Sequence, residues 1–196
     1  MQQLPGSLRP SPSFDFVGRT RELDVLRTLL PRAPGDGRGV ALIAGEAGSG
    51  KSRLVRELAQ ELAQEGTPVL YGACDSAVRA PYRPFVDALQ QLVRRSGGDE
   101  PVELPPGTAA ELARLLPDLA SLHDERAAPA STDPDTARHR LHVAIADVFA
   151  AASSRRPLLL VLEDLHTEAS AMSARLGAGF QATSSRPMAT YLASFM

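Results

Sequence analysis

Gly45-Glu46-Ala47-Gly48-Ser49-Gly50-Lys51-Ser52 decides how this chain folds. The stretch has the G-x-x-x-x-G-K-[ST] pattern of a phosphate-binding P-loop. Its lysine is the only one in the chain, against 20 arginines. At residue 51 the positive charge is a compact ammonium on a flexible stem, able to reach the β- and γ-phosphates of a nucleotide. The glycines let backbone N–H groups close around phosphate, and the N-terminus of a following helix adds a favourable dipole. Ser52 supplies the hydroxyl that such loops place on Mg²⁺. Gly45, Glu46, Ala47, Gly48, Ser49, Gly50, Lys51 and Ser52 are therefore the expected phosphate-binding residues.

The flanks supply the context that the motif needs. Gly39-Val40-Ala41-Leu42-Ile43-Ala44 is a continuous apolar run, as in a strand buried on both faces of a parallel sheet. After the loop, Leu54, Val55, Leu58 and Leu62 recur at helical spacing and Gly66 follows as a stop. Strand, glycine loop and helix predict an α/β fold: a P-loop NTPase three-layer sandwich with a mostly parallel sheet. Pro157-Leu158-Leu159-Leu160-Val161-Leu162-Glu163-Asp164 reads as a second buried strand. It delivers carboxylates to the sheet edge at which ligands of open α/β folds bind. Glu163 is expected to hold Mg²⁺ together with Ser52, and Asp164 to polarise an attacking water.

Between these strands the pattern predicts a helix over about 21–30, a strand over 67–73 and an amphipathic helix over 84–95. A short helix follows over 108–116. Asp133-Pro134 opens a long helix with Leu141, Ile145, Val148 and Phe149 on one face. Residues 1–13 read as a disordered leader, 14–166 as the P-loop domain and 121–134 as a mobile loop. His139 and His142 read as surface residues.

The 196-residue length suits one domain, and 43% hydrophobic with 22% charged residues describes an ordinary soluble protein. A net charge of −2 gives no reason to expect nucleic acid contacted by this chain itself. The lone Cys74 permits no internal disulfide, and no Cys/His set has zinc spacing. Met1–Ser13 has no apolar run of a signal peptide, and no stretch nears the ~20 apolar residues of a membrane span. A cytoplasmic protein with no membrane partner is the expectation.

Phe16-Val17-Gly18-Arg19 with Glu22-Leu23, then Gly45–Ser52, then Leu160-Val161-Leu162-Glu163-Asp164-Leu165-His166 resemble one group in particular. They are similar to the signal-transduction ATPases with numerous domains, an AAA-related module of MalT-like LuxR-type regulators that is also fused to some nucleotide cyclases. The resemblance covers about Phe14 to His166 and includes Tyr71-Gly72-Ala73-Cys74 and Pro81-Tyr82-Arg83-Pro84-Phe85. It implies ATP with Mg²⁺ as ligand, a role in signal transduction or transcription regulation, and Val17, Gly18 and Arg19 beside the adenine base. Two features depart from that group. Glu163 stands where the group commonly has Asp. From Thr167 to Met196 only Glu168, Arg175 and Arg186 are charged, a break that suits a truncated or frame-shifted tail and equally a divergent ending.

In the group a further strand carrying a polar sensor enters between the P-loop strand and the acidic strand. Met188–Phe195 could imitate it but offers no Arg or Asn. The expected sheet is thus incomplete, or completed only by 188–195 as a substitute, which would favour self-association. Three functions follow: an ATP-binding module with weak or no hydrolysis, a small P-loop kinase, or a truncated fragment that no longer binds nucleotide.

Overall fold

The computed structural model describes residues 4–9, 16–29, 39–74, 82–96, 103–118, 133–154, 156–164 and 189–195. A 3-10 turn at Gly6–Leu8 precedes α1 (Thr20–Leu29), β1 (Gly39–Ala44) and α2 (Lys51–Gln64). There follow β2 (Val69–Ala73), α3 (Arg83–Ser96), α4 (Thr108–Leu112) and α5 (Pro134–Ser153). The described chain closes with β3 (Leu158–Glu163) and β4 (Ala189–Phe195). Most of the stretch expected to be a mobile loop, and all of 165–188, lie outside the described residues.

The unbroken apolar run of β3, Leu158 to Leu162, explains the three layers. Leu159 and Val161 pack with Leu54, Val55, Leu58 and Ala59 of α2 and Leu23 and Leu26 of α1. Leu158, Leu160 and Leu162 pack with Phe85 and Leu89 of α3, Leu112 of α4, and Ile145, Val148 and Phe149 of α5. Successive strand side chains point to opposite faces, so a strand that is apolar at every position must be covered on both. Each fully buried leucine, isoleucine, valine or phenylalanine among these contributes roughly 1.5–3 kcal/mol.

The strand order is β1-β4-β3-β2. β2 and β3 are parallel, whereas β4 runs antiparallel to both β1 and β3. β1, β2 and β3 therefore point one way, and the strand inserted between the P-loop strand and the acidic strand points the other. Ala189 pairs with Ala44, and Tyr191 pairs with Leu162. The chain thus re-enters the sheet at the edge where β3 ended, and re-entry at that edge requires an antiparallel strand. The open ladders of β1 and β3 are closed by backbone alone, which either strand direction can supply.

Two expectations are corrected. Residues 1–13 are not wholly a loose leader: Leu8 is 1% exposed in the α1/α2 cluster. The side chains of Arg56 and Gln60 donate to the carbonyls of Ser7 and Leu8 at 3.3 and 3.4 Å. One apolar side chain at the right spacing outweighed the proline-rich composition. His139 is exposed, but His142 is half-buried and edge-on to Tyr82, with ring centroids 5.5 Å apart.

At the start of α5 the carboxylate of Asp133 accepts from the backbone N–H of Asp135 at 3.3 Å and of Thr136 at 2.9 Å, and from the Thr136 hydroxyl. The Thr136 hydroxyl first, then the backbone N–H groups of Thr136 and Asp135, hold the Asp133 carboxyl below its usual range. A depressed carboxyl stabilises the fold above its unfolded pKa of about 3.9 and loses that stabilisation as pH falls through the lower folded value. Asp133→Asn should therefore melt below wild type at neutral pH, with the gap closing in acid. A gap that is constant with pH, measured by circular dichroism, would show that the charge plays no part in the cap.

Candidate functional site

The loop between β1 and α2 is built by backbone conformations that side chains resist. Gly48 and Gly50 have φ of 78° and 86°. Gly50 caps α2 without any side-chain hydrogen bond, so the first-turn N–H groups of the helix are left for a ligand. The N–H of Ser49 donates to the Glu46 carbonyl at 3.2 Å, closing a turn over the exposed Ala47 and Gly48. A Cβ on Gly45 would stand 3.0 Å from Ser49 Oγ, so the loop is wound tightly from its first residue.

Lys51 is 8% exposed, and its Nζ donates to the carbonyls of Gly45 and Glu46, both at 2.8 Å. An ammonium has three N–H donors. Two hold the loop in shape. Ser52 follows, exposed in the first turn of α2.

Arg19 is brought to the same loop. The Arg27 guanidinium ties α1 to α2, donating to Glu61 Oε2 at 3.0 Å and Oε1 at 2.6 Å. It also bonds Asp24 on its own helix at 2.6 Å. Just before α1, Gly18 and Arg19 both take left-handed conformations, φ 78° and 56°. The Arg19 guanidinium then donates to the Ser49 carbonyl. A non-glycine residue at such a φ costs of order 1–3 kcal/mol and is found where the surroundings enforce it. Val17, beside it, is 87% exposed, an apolar side chain left uncovered at the edge of the loop.

Glu163 ends β3 on the α2 face, the parity of Leu159 and Val161. Its Oε2 accepts from the Tyr71 hydroxyl at 2.8 Å, while its Oε1 is buried with no hydrogen-bond partner. A buried carboxylate oxygen without a donor is unfavourable in an empty protein and favourable against a cation. The residues present thus fit Mg²⁺ at this position. Asp164 follows, half-buried, with φ 54°. Burial first, then the bond to Glu163, raises the pKa of Tyr71, so the phenol remains a donor throughout the neutral range. Among the described residues no hydrogen bond or ion pair joins Glu163 to Lys51 or Ser52 directly.

A glycine loop with its lysine pinned inward, an arginine on the loop carbonyl and a strand-end carboxylate make up the site. The AAA ATPase domain family model matches residues 15–193. The chain belongs to that family. AAA ATPase domains bind ATP with Mg²⁺, and the motif residues of this one stand on the loop and strand end described above. An uncharacterized protein of Rhizobium meliloti (strain 1021) is 26% identical over 166 residues, which is 77% of this chain and 16% of that protein. The hybrid signal transduction histidine kinase G of Dictyostelium discoideum is 29% identical over 98 residues, which is 49% of this chain and 3% of that protein. This AAA ATPase domain therefore spans only a small share of the curated relatives it matches. No solved structure matches it. Among the described residues no helix is long and apolar enough to cross a membrane.

Sequence reasoning named Tyr71 only within the run that carries the family resemblance and gave it no role, and it did not single out Gln91. Only the pairing of Ala73 with Glu163 sets Tyr71 within reach of the acid, and pairing register is not written in either strand alone.

Proposed function

We propose that this chain is the Mg-ATP-binding module of a regulatory, signal-transduction-type ATPase, with weak or no hydrolysis of its own. The observation that carries the reading is the meeting of Arg19 and Lys51 on one glycine loop. A P-loop alone serves many enzymes. An arginine sent onto the loop carbonyl from a Val-Gly-Arg segment suits a module that also grips the base side of its nucleotide, through Val17, Gly18 and Arg19. The signalling role is supported by the sequence resemblance and by the similarity to the Dictyostelium hybrid signal transduction histidine kinase. That the chain matches only a small part of larger proteins suits a module within a longer regulator.

In this reading Gly45–Gly50 and the start of α2 bind phosphate by backbone N–H groups, and Lys51 neutralises its charge. Ser52 and Glu163 would hold Mg²⁺, which when bound draws charge from the β- and γ-phosphate oxygens. Asp164 would orient and deprotonate water. The Ala189–Phe195 strand contains neither Arg nor Asn, so it provides no charged sensor for the γ-phosphate.

Calorimetric titration with Mg-ATP should give saturable binding, and its absence would overturn the reading. Steady-state turnover should stay near background, and Asp164→Asn should lower any residual rate more than it lowers affinity. Robust turnover by this chain, abolished by Lys51→Ala, would show the 167–196 segment to be a working part.

A further inference from the structure

β2 is the end strand of the described sheet, so the outer backbone groups of Tyr71 have no strand to pair with. A side chain supplies the pairing. Gln91 of α3 accepts from the Tyr71 N–H at 3.1 Å and donates to the Tyr71 carbonyl at 2.5 Å, while also donating to the Asp87 carbonyl at 2.9 Å. The neighbouring Gly72 is seated against the backbone of Pro84. Tyr71 is therefore fixed to α3 at its main chain, and its phenol reaches Glu163 Oε2 at 2.8 Å.

We propose that Tyr71 is a positioning residue for Glu163: its hydroxyl occupies one carboxylate oxygen and leaves the buried, unpartnered one for the cation of a bound Mg-nucleotide. Gln91 holds the Tyr71 backbone. The inference rests on the reading of Glu163 as the Mg²⁺-side carboxylate. Without the phenol the carboxylate loses a buried charge-assisted bond and the single orientation that it enforces.

The test is a titration of a fluorescent ATP analogue with MgCl₂ in wild type, Tyr71→Phe, Gln91→Ala and Lys51→Ala. Tyr71→Phe should raise the Mg²⁺ midpoint about 10-fold, the effect of one hydrogen bond to a charged group, and leave Mg²⁺-free nucleotide affinity within about two-fold. Gln91→Ala, which frees the Tyr71 main chain from α3, should shift the midpoint the same way by about two- to three-fold. Adding it to Tyr71→Phe should change the midpoint little further, because it acts through the missing hydroxyl. An unchanged or lower midpoint in Tyr71→Phe overturns the proposal. So does an equal loss with and without Mg²⁺, which marks a merely structural tyrosine. Should Tyr71→Phe not fold, an unshifted midpoint in Gln91→Ala overturns it instead. Absence of nucleotide binding in wild type, or binding indifferent to Lys51→Ala, overturns the reading of the site and the proposal with it.

Discussion

Lys51→Ala should weaken Mg-ATP binding roughly 100-fold, while the thermal unfolding midpoint moves by only a few degrees. The ammonium is almost buried, yet two of its three donors hold the loop's own Gly45 and Glu46 carbonyls. Removing it deletes a charge-assisted bond to phosphate and releases the loop from the shape that aims its N–H groups. Those two losses together are worth about 3 kcal/mol. The cost to the fold is small because Glu46 is exposed and its freed carbonyl can turn to water. Lys51→Arg should be nearly as damaging. A planar fork cannot fill a point-charge position inside a loop where a Cβ on Gly45 would already stand 3.8 Å from the lysine Cδ. Calorimetry of the three proteins decides the matter: equal ATP affinity in wild type and Lys51→Ala would remove the phosphate-site assignment.

Gly72→Ala should be the most destabilising small substitution in the molecule, at about 3 kcal/mol or more, lowering the melting midpoint by roughly 6–12 °C. A Cβ at residue 72 would fall 2.0 Å from the carbonyl oxygen of Pro84 and 2.6 and 2.7 Å from its carbonyl carbon and Cα. These are backbone atoms in the first turn of α3, so no rotamer change can relieve the clash. The helix would have to withdraw from β2. That would uncover Phe85, Ala88 and Leu89, each at most 1% exposed, and break the Gln91 bonds to Tyr71. Because Tyr71 is bonded to Glu163, the disturbance should also reach the carboxylate. A melting midpoint within about 2 °C of wild type would show that α3 does not press on β2 as described.

Much of this was legible in the chain. Gly39–Ala44 forms a strand and the P-loop and its helix form as read, because each signal is local: the strand needs an apolar run, the loop its glycines and an amphipathic helix a 3.6 period. The strand is not fully buried in a parallel ladder as expected, however: Val40–Ile43 are half-buried, and its one partner among the described residues, β4, runs antiparallel to it. Asp133-Pro134 opened α5 for the same reason: an N-cap carboxylate and a proline in the first turn act within one turn of chain. Gly66, at φ 91°, stops α2, with the Thr67 N–H reaching back to the Leu62 carbonyl at 2.8 Å. The readings that failed, or were never made, involve partners far apart in sequence. Leu8 found its place only because α1 and α2 leave an apolar gap, and a proline-rich leader does not advertise that.

By itself, then, the sequence determined the α/β layering, the phosphate loop with Lys51 and the acidic strand end, since period, conformation and charge at these sites are properties of neighbouring residues. Tertiary structure alone decided the reversed direction of β4 between β1 and β3, the placing of Arg19 on the Ser49 carbonyl, and the hold of Gln91 on Tyr71 and of Tyr71 on Glu163. Backbone ladders accept any strand that brings unpaired N–H and C=O groups, and a hydroxyl bonds whatever carboxylate the register sets beside it. Those choices depend on how separate elements meet in space, and no local pattern encodes that.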